Sequence, residues 1–117
     1  MRIWDIPIDK LCDNHLLGEH RELHAIWSIL TNNKKGYSYH PETLRWKGKL
    51  KALYLRHEKQ IKEMHKRGFN HNSPLEKKLA IGNGIQTQLV DSLQKQIQIL
   101  KNKNCKCQVK YQQKDLK

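Results

Sequence analysis

The stretch that decides the fold runs from residue 9 to residue 31 and reads DKLCDNHLLGEHRELHAIWSILT. Asp9 comes shortly after Pro7 and has the side chain of a helix N-cap. Apolar residues then recur at intervals of three, four and seven, which predicts a helix from about Asp9 to Leu30 or Thr31. Its buried stripe is predicted to consist of Leu16, Leu23, Trp27 and Leu30.

Two further amphipathic stretches predict two more main helices. Between the first and second helices, the Asn, Gly and Pro content of residues 31–41 predicts a loop. Pro41 suits a first helical position and Gly68 suits a C-terminal stop, so the second helix is predicted between them. Its apolar stripe consists of Leu50, Leu53, Tyr54, Ile61 and Met64. The stripe of the last helix consists of Leu89, Leu93, Ile97 and Leu100.

The run Ser73-Pro74-Leu75-Glu76 matches a capping box and predicts a short helix that ends at Gly82 or Gly84. No strand-like alternation persists along the chain. The predicted fold is all-α, a compact single domain of about three main helices plus the short capped helix. We assign residues 1–100 to this domain and residues 101–117 to a basic C-terminal tail. Much of this tail is expected to be mobile, or ordered only by packing or by nucleic acid.

The charge of the chain predicts a nucleic-acid partner. Lys and Arg number 23 against 11 Asp and Glu, which gives a formal net charge of +12 on 117 residues. Such an excess attracts polyanions, although a basic surface that merely solvates the protein is the alternative. No apolar run is long enough to span a bilayer, and the opening MRIWDIPIDK lacks the apolar block of a signal peptide. We therefore expect a cytoplasmic, nucleoid-associated protein without membrane contact.

The three cysteines, Cys12, Cys105 and Cys107, are too few and too unevenly spaced for a disulfide framework. Cys105 and Cys107 form a C-x-C in the lysine-rich tail. A metal site there needs a fourth ligand and better spacing, so the sequence predicts ordinary thiols and no metal.

The candidate catalytic carboxylate is Glu22. His15, Gly18, Glu22 and Ala25 follow one another at intervals of three or four, so they share one face of the first helix. Gly18 and Ala25 leave a clearing beside the carboxylate, with His15 at its edge and Arg21 next to it. A solvated Glu-Arg surface is the alternative interpretation.

The N-terminal amine of Met1 is the candidate nucleophile. An α-amine has a pKa near 8, against about 10.4 for lysine, so a usable fraction is unprotonated at neutral pH. The residues before Asp9 span roughly 26 Å when extended, and the helix from there to Glu22 rises about 20 Å. Arg2 is too large for ordinary methionine removal, so we expect Met1 to remain. Three apolar residues could hold this segment against the helix, namely Ile3, Trp4 and Ile6.

The pentapeptide HRELH at residues 20–24 superficially suggests a zinc hydrolase, because His20 and His24 share a helix face. That motif needs Glu directly after the first His. Here Glu22 lies two residues after His20 and points about 200° away from it around the helix. We therefore reject the interpretation as a zinc hydrolase.

Other singled-out residues have structural interpretations. His57 falls within the apolar stripe of the second helix, and Trp27 and Trp46 are expected in the core rather than in base stacking. A basic patch beside Trp46 either binds phosphate or forms a solvated face. It consists of Lys47, Lys49 and Lys51.

The first helix resembles a known enzyme family. His15-Leu16-Leu17 followed by Glu19-His20-Arg21-Glu22-Leu23 is similar to the helix signature of the pyrimidine-dimer DNA glycosylases of the phage endonuclease V type. The run Lys66-Arg67-Gly68-Phe69-Asn70 resembles the end of that family's second helix. MRIWDIP and LLGEHRELHAIW are especially similar to the bacterial branch, and the resemblance covers roughly the first 75 residues.

This resemblance implies a helical monomer that acts on double-stranded DNA with a damaged or abasic nucleotide. The nucleotide is flipped out, the N-terminal amine attacks C1′, the base is released, and β-elimination of the Schiff base cuts the strand. No metal or organic cofactor takes part. Met1 is then the nucleophile, Glu22 the catalytic carboxylate, and His15 assists the lyase step. Arg2 and Arg21 then hold phosphates or the damaged nucleotide. The complete set of predicted DNA-binding residues adds Lys47, Lys49, Lys51, Lys66 and Arg67.

The sequence departs from the phage pattern at three points. Met1 stands in place of the threonine that the phage enzymes expose after methionine removal, which leaves amine chemistry intact. Ala25 stands where the phage pattern has a DNA-contacting arginine. The phage pattern also has an aromatic cluster near the C-terminus, whereas the tail of this chain has only Tyr111. A pyrimidine dimer is the expected lesion. A glycosylase for another base, or a non-catalytic DNA-binding module of the same fold, is the alternative.

Overall fold

The computed structural model describes residues 2–71, 73–103 and 105–107. This part of the chain forms four α-helices and two 3-10 turns, with no strand and one isolated bridge between Lys49 and Gly82. The predicted all-α fold is confirmed. The helices are α1 (Asp13–Thr31), α2 (Pro41–Trp46), α3 (Leu50–Lys66) and α4 (Leu93–Asn102), and the 3-10 turns are Ile8–Lys10 and Lys77–Leu79. None of these helices is long and apolar enough to cross a bilayer.

The core consists of two apolar clusters stacked along α1. The first joins the beginning of α1 to the end of α3 and to α4, and it includes Trp4, Ile6, Leu11, Leu16, Met64, Ile97 and Leu100. The second joins the middle of α1 to α2 and the start of α3, and it includes Ile3, Leu23, Ile26, Trp27, Trp46 and Leu53. The N-terminal segment therefore contributes side chains to both clusters.

The predicted start of the first helix at Asp9 is wrong by four residues. The chain makes a 3-10 turn at Ile8–Lys10, and α1 begins at Asp13 with Cys12 as its N-cap. Leu11 is extended and buried between the two. Its carbonyl accepts a 2.7 Å hydrogen bond from Arg67 Nη2, so tertiary contacts replace helical ones at this point.

The predicted second helix is divided into α2 and α3. Gly48 has a φ of +78°, a left-handed conformation that interrupts the helix after Trp46. Its carbonyl accepts a 3.0 Å hydrogen bond from the Asn83 N–H. Gly68, with a φ of +88°, follows Arg67, the C-cap of α3, and confirms the predicted stop.

No helix begins at Ser73, which corrects the capping-box prediction. Instead, the chain turns at Lys77–Leu79 and then pairs with the start of α3. The carbonyl of Ile81 accepts a 2.9 Å hydrogen bond from the Lys51 N–H, and that of Asn83 accepts one of 3.1 Å from Ala52. These bonds satisfy N–H groups that have no partner within α3, and the pairing requires an extended backbone.

The last helix begins later than the apolar stripe indicates. Ser92 caps α4 by accepting a 3.1 Å hydrogen bond from the Lys95 N–H, which leaves Leu89 outside the helix and partly exposed. Ile97 and Leu100 are buried as predicted. Residues 105–107 of the predicted tail lie near Cys12, while residues 108–117 lie outside the described part.

Candidate active site

The first residues of the chain run along α1 in the opposite direction. Ile6 is buried in the cluster that contains Leu16, whereas Ile3 is buried in the cluster that contains Leu23, two turns further along α1. Ile3 is thereby packed beside Leu23, the residue that follows Glu22 in α1. Ile3, Trp4 and Ile6 are buried, in agreement with their predicted anchoring role. Met1 itself lies outside the described residues.

Buried charged side chains hold this segment by its backbone. The Trp4 N–H donates a 2.8 Å hydrogen bond to Glu19 Oε1, and Arg45 Nη2 donates one of 2.8 Å to the Ile3 carbonyl. Arg56 donates to the Trp4 carbonyl through Nη2 and to Glu19 Oε2 through Nε, at 2.9 Å for the latter. Because buried charges are stable only when they are paired and hydrogen-bonded, these partners fix the segment in one position.

Glu22 lines an open cavity of about 680 Å³. This size suits a bound small molecule or nucleotide. The walls come from α1 and from the loop of residues 32–40 that follows it. They include Glu22, Ala25, Lys34, Gly36, Tyr37 and His40. Of the residues predicted to surround the clearing beside Glu22, Ala25 lines this cavity, whereas His15, Gly18 and Arg21 are not among its lining residues. The contribution of the loop was not predicted.

Glu22 differs from the buried carboxylates in its contacts. Within residues 2–71, 73–103 and 105–107, no hydrogen bond or ion pair reaches its carboxylate. The side chain is half-buried, and Arg21 beside it is exposed. The carboxylate is thus available to a molecule that enters the cavity.

The loop beside the cavity presents two exposed aromatic rings. Tyr37 and Tyr39 are 72% and 86% exposed, and Tyr37 has a φ of 60°. The Tyr37 ring lies 6.5 Å from the ring of His40, whose Nδ1 accepts a 3.1 Å hydrogen bond from the Glu42 N–H. Exposed aromatic faces next to a carboxylate-lined cavity can stack on unpaired bases.

Two of the arginines predicted to contact DNA form ion pairs within the protein. Arg2 Nη2 lies 2.9 Å from Asp91 Oδ2. Arg67 pairs with Glu63 at 2.8 Å and with Asp13 at 3.0 Å, and these carboxylates raise its pKa against the lowering effect of burial. Their charges are therefore partly neutralised inside the fold.

The remaining predicted DNA contacts are more accessible. Lys49 Nζ donates a 2.8 Å hydrogen bond to Gln86 Oε1. Four cations are exposed and form no ion pair with any described residue, namely Arg21, Lys47, Lys51 and Lys66. These four carry the charge that a phosphate backbone can reach.

His15 lies away from Glu22, at the beginning of α1. Seven residues separate the two, which corresponds to about 10 Å of helix rise. His15 Nδ1 lies 3.1 Å from Cys12 Sγ and 3.3 Å from Cys107 Sγ, and the ring packs edge-on against Trp4. Burial and the nearby Lys103 lower the pKa of His15, while burial raises the pKa of Cys107 to about 12.

The two histidines of HRELH lie next to His57 of α3, and His24 also lines the cavity that Glu22 lines. His20 stacks on His57 with ring centroids 4.9 Å apart, and the His24 centroid lies 4.6 Å from that of His20. His57 is fully buried, as predicted. Burial, together with neighbouring histidines, lowers the pKa of His24 to about 4. This grouping of histidines was not predicted, because residues 24 and 57 lie on different helices.

Together, the all-α fold, the net charge of +12 and the open carboxylate-lined cavity define a small basic protein with an enzyme-like site. The chain belongs to the pyrimidine dimer DNA glycosylase family, whose model matches residues 1–77. It is therefore a member of a family of DNA glycosylases, which act on DNA. No curated protein and no solved structure matches the chain. The matched range includes Glu22 and its cavity, and ends before α4 and the C-x-C of the tail.

Proposed function

We propose that this protein is a DNA glycosylase with AP-lyase activity that uses the amine of Met1 as its nucleophile. Its expected lesion is a cyclobutane pyrimidine dimer. The observation that supports the proposal is the course of the N-terminal segment: buried Ile3 packs in one cluster with Leu23, and the preceding residue of α1, Glu22, lines a cavity. The amine lies two residues before Ile3, within about 7 Å of chain length.

The proposed reaction has two stages. The amine lone pair forms a bond to C1′ of the damaged nucleoside as the C1′–N glycosidic bond breaks, and the base leaves with a proton. The sugar ring then opens to a Schiff base. Loss of a C2′ proton and breakage of the C3′–O bond release the 3′ phosphate and cut the strand. The target nucleotide must leave the base stack for the amine to reach C1′.

In this mechanism Glu22 stabilises the cationic sugar and Schiff base and carries protons. Its freedom from partners within the described residues suits a group that must contact substrate. Arg21 and the exposed lysines hold phosphates of the DNA, and Arg2 contributes when Asp91 releases it. His15 assists elimination from the beginning of α1, at about 10 Å of helix rise from Glu22.

The Glu22→Gln variant tests the carboxylate. We expect a loss of strand cleavage on an abasic duplex of at least about 100-fold with DNA binding retained, because general acid-base groups contribute that much or more. Glu76→Gln is the matched control, since Glu76 lies on the surface outside the cavity. Cleavage by Glu22→Gln at the rate of the control variant contradicts the proposed role.

A short extension ahead of Met1 tests the nucleophile. It should abolish the lyase reaction while leaving the helical content unchanged, because the reacting α-amine becomes an amide. Removal of the extension by a protease that restores the original start should restore cleavage. An extended protein with full turnover contradicts amine chemistry at Met1.

A panel of lesion-containing duplexes tests the substrate. Excision of the cyclobutane dimer in preference to other damaged bases is expected from the family. Excision of a different base keeps the imine mechanism and changes the substrate. Salt-sensitive binding without excision of any lesion indicates a non-catalytic DNA-binding module.

A further inference from the structure

Four potential metal ligands meet at the beginning of α1, and we call them the thiol cluster. They are Cys12, His15, Cys105 and Cys107, and their ligand atoms all lie within 4.8 Å of one another. The sequence prediction of ordinary thiols rested on the absence of a fourth ligand near the C-x-C. The fold supplies two further ligands from the other end of the chain.

The distances within the thiol cluster suit a tetrahedral ion. His15 Nδ1 lies 3.1 Å from Cys12 Sγ and 3.3 Å from Cys107 Sγ. A tetrahedral zinc site places sulfur and nitrogen ligands roughly 3.6 Å apart, given Zn–S and Zn–N bonds of about 2.3 and 2.0 Å. The Cys12 N–H also donates to Cys107 Sγ at 3.1 Å, a contact that stabilises sulfur in its thiolate form.

We propose that the thiol cluster is a structural zinc site of the Cys₃His type. All four positions of a tetrahedron are filled by protein, which is the pattern of a structural rather than a catalytic zinc. The ion joins the segment after α4 to the N-terminal end of α1, a helix of 19 residues whose dipole favours thiolates. Ligation through Nδ1 leaves the other ring nitrogen of His15 free for its proposed part in elimination.

A second group of four ligands, the histidine cluster, carries an independent inference. It consists of His20, His24, His57 and His71. His24 Nε2 lies 3.2 Å from His20 Nε2 and 3.1 Å from His57 Nε2. These separations are close to the roughly 3.3 Å between two imidazole ligands of a tetrahedral zinc ion. The four imidazoles lie at the junction of α1, α3 and the residues after Gly68.

Hydrogen bonds on the outer side of the rings orient lone pairs toward the centre. His57 Nδ1 lies 2.8 Å from Glu58 Oε2, and His20 Nδ1 lies 2.7 Å from Gln60 Oε1. Both oxygens are acceptors, so each Nδ1 carries the proton and each Nε2 presents a lone pair. His24 Nε2 carries at most one hydrogen, so it can donate to His20 Nε2 or to His57 Nε2 but not to both. One of these two lone pairs therefore receives no hydrogen bond from His24.

His71 adds the second argument for a cation. Its Nε2 is buried and has no hydrogen-bond partner among the described residues. Buried polar atoms nearly always have a partner, and a divalent cation is the partner that unites several converging lone pairs. We propose that the histidine cluster binds a divalent transition-metal ion, with zinc as the probe, because an all-imidazole set suits such metals.

Metal content separates the two proposals. Reduced protein that has been stripped with a chelator, reloaded with zinc and desalted should retain about two equivalents. Cys107→Ser should retain about one, and so should His71→Ala, whereas His65→Ala should match the wild type because His65 is exposed and belongs to neither cluster. Full zinc content in Cys107→Ser overturns the thiol site, and full content in His71→Ala overturns the histidine site.

Cobalt substitution and alkylation keep both proposals testable on the wild-type protein if a variant does not fold. The first site should give a thiolate-to-cobalt charge-transfer band in the near ultraviolet, and His71→Ala should keep this band. Cobalt in the histidine cluster should increase the visible d–d absorption and leave the thiolate-to-cobalt band unchanged. Zinc should slow alkylation of all three cysteines. Thiols that alkylate equally with and without zinc contradict the first site, and saturation at one cobalt per chain with the charge-transfer band present contradicts the second.

Discussion

At the scale of single residues, Glu19 and Glu22 show how one helix uses two carboxylates differently. The Glu19 side chain is fully buried and accepts hydrogen bonds from the Trp4 N–H, from Arg56 and from Gln60. Glu22 faces a cavity, and no described residue pairs with it. The first carboxylate therefore fixes the N-terminal segment, and the second remains available for chemistry.

Removal of the Arg56 side chain should be strongly destabilising. Arg56→Ala leaves the buried Glu19 charge without its cation, which costs about 3 kcal/mol or more of unfolding free energy. Chemical denaturation followed by circular dichroism measures this cost. Arg21→Ala is the control, because Arg21 is exposed and its loss should change stability by less than about 0.5 kcal/mol. Equal stability of the two variants contradicts an anchoring role for Arg56.

Gly82 is required by its conformation and by its close neighbour. It has a φ of +89°, and a Cβ at this position would lie 2.3 Å from the Gly48 carbonyl oxygen. Gly82→Ala should therefore lower the unfolding free energy by at least about 1 kcal/mol. In Gly84→Ala the new Cβ meets the flexible side chain of Lys51 at 3.4 Å, so this control should stay near wild-type stability. A thermal melt of both variants decides the comparison.

The sequence predicted several of the buried side chains of α1, because helical periodicity determines which face of a helix packs against the core. Leu16, Leu23 and Trp27 are buried as their spacing indicates, and Glu22 faces a cavity beside Ala25. The buried ion pairs of Glu19 and Arg45 were missed. Glu19 pairs with Arg56 and Arg45 pairs with Asp5, both far along the chain, while Arg45 also pairs with Glu42 on its own helix. A charged residue carries no local signal that it will be buried with a partner.

At the scale of elements, α1 and the loop of residues 32–40 form the Glu22 cavity, while the N-terminal segment packs along α1. The chain length allows the segment to reach Glu22, and Ile3, Trp4 and Ile6 are buried, whereas the position of the Met1 amine beside Glu22 stays a prediction. The helix boundaries were less predictable. The capping-box run at Ser73 begins no helix. The residues that follow it instead form hydrogen bonds with the start of α3, and this contact depends on the tertiary fold rather than on local sequence.

The loop contributes a prediction of its own. Tyr37 lines the cavity, and its exposed ring can stack on an unpaired base, so Tyr37→Ala should weaken binding of an abasic or lesion-containing duplex about 10-fold or more. Tyr37→Phe keeps the ring and should bind like the wild type. Fluorescence anisotropy with labelled DNA measures both affinities. Equal affinity of the Ala and Phe variants contradicts stacking by this residue.

At the scale of the whole molecule, the net charge of +12 accompanies membership of a DNA glycosylase family. The charge excess was evident from composition, but composition does not show which cations remain free. The fold pairs Arg2 and Arg67 with carboxylates and leaves Lys47 and Lys51 exposed. The two proposed metal sites likewise depend on the assembled molecule, because each unites residues distant in sequence.

The exposed lysines should determine the salt dependence of binding. Replacing Lys47 and Lys51 together by Ala should reduce the slope of log Kd against log salt concentration by about 2, because each phosphate contact contributes nearly one unit. Lys78→Ala is the control, since Lys78 Nζ lies 3.6 Å from Glu76. An unchanged slope in the double variant places the phosphate contacts elsewhere.

Borohydride trapping on an abasic duplex tests the central claim most directly. Reduction of the Schiff base should give a covalent protein–DNA adduct, and peptide mapping should locate the DNA on the α-amine of Met1. The adduct should be absent when residues precede Met1. Efficient strand cleavage without an adduct, or an adduct mapped to a lysine side chain, contradicts the proposal that the amine beside Glu22 performs the reaction.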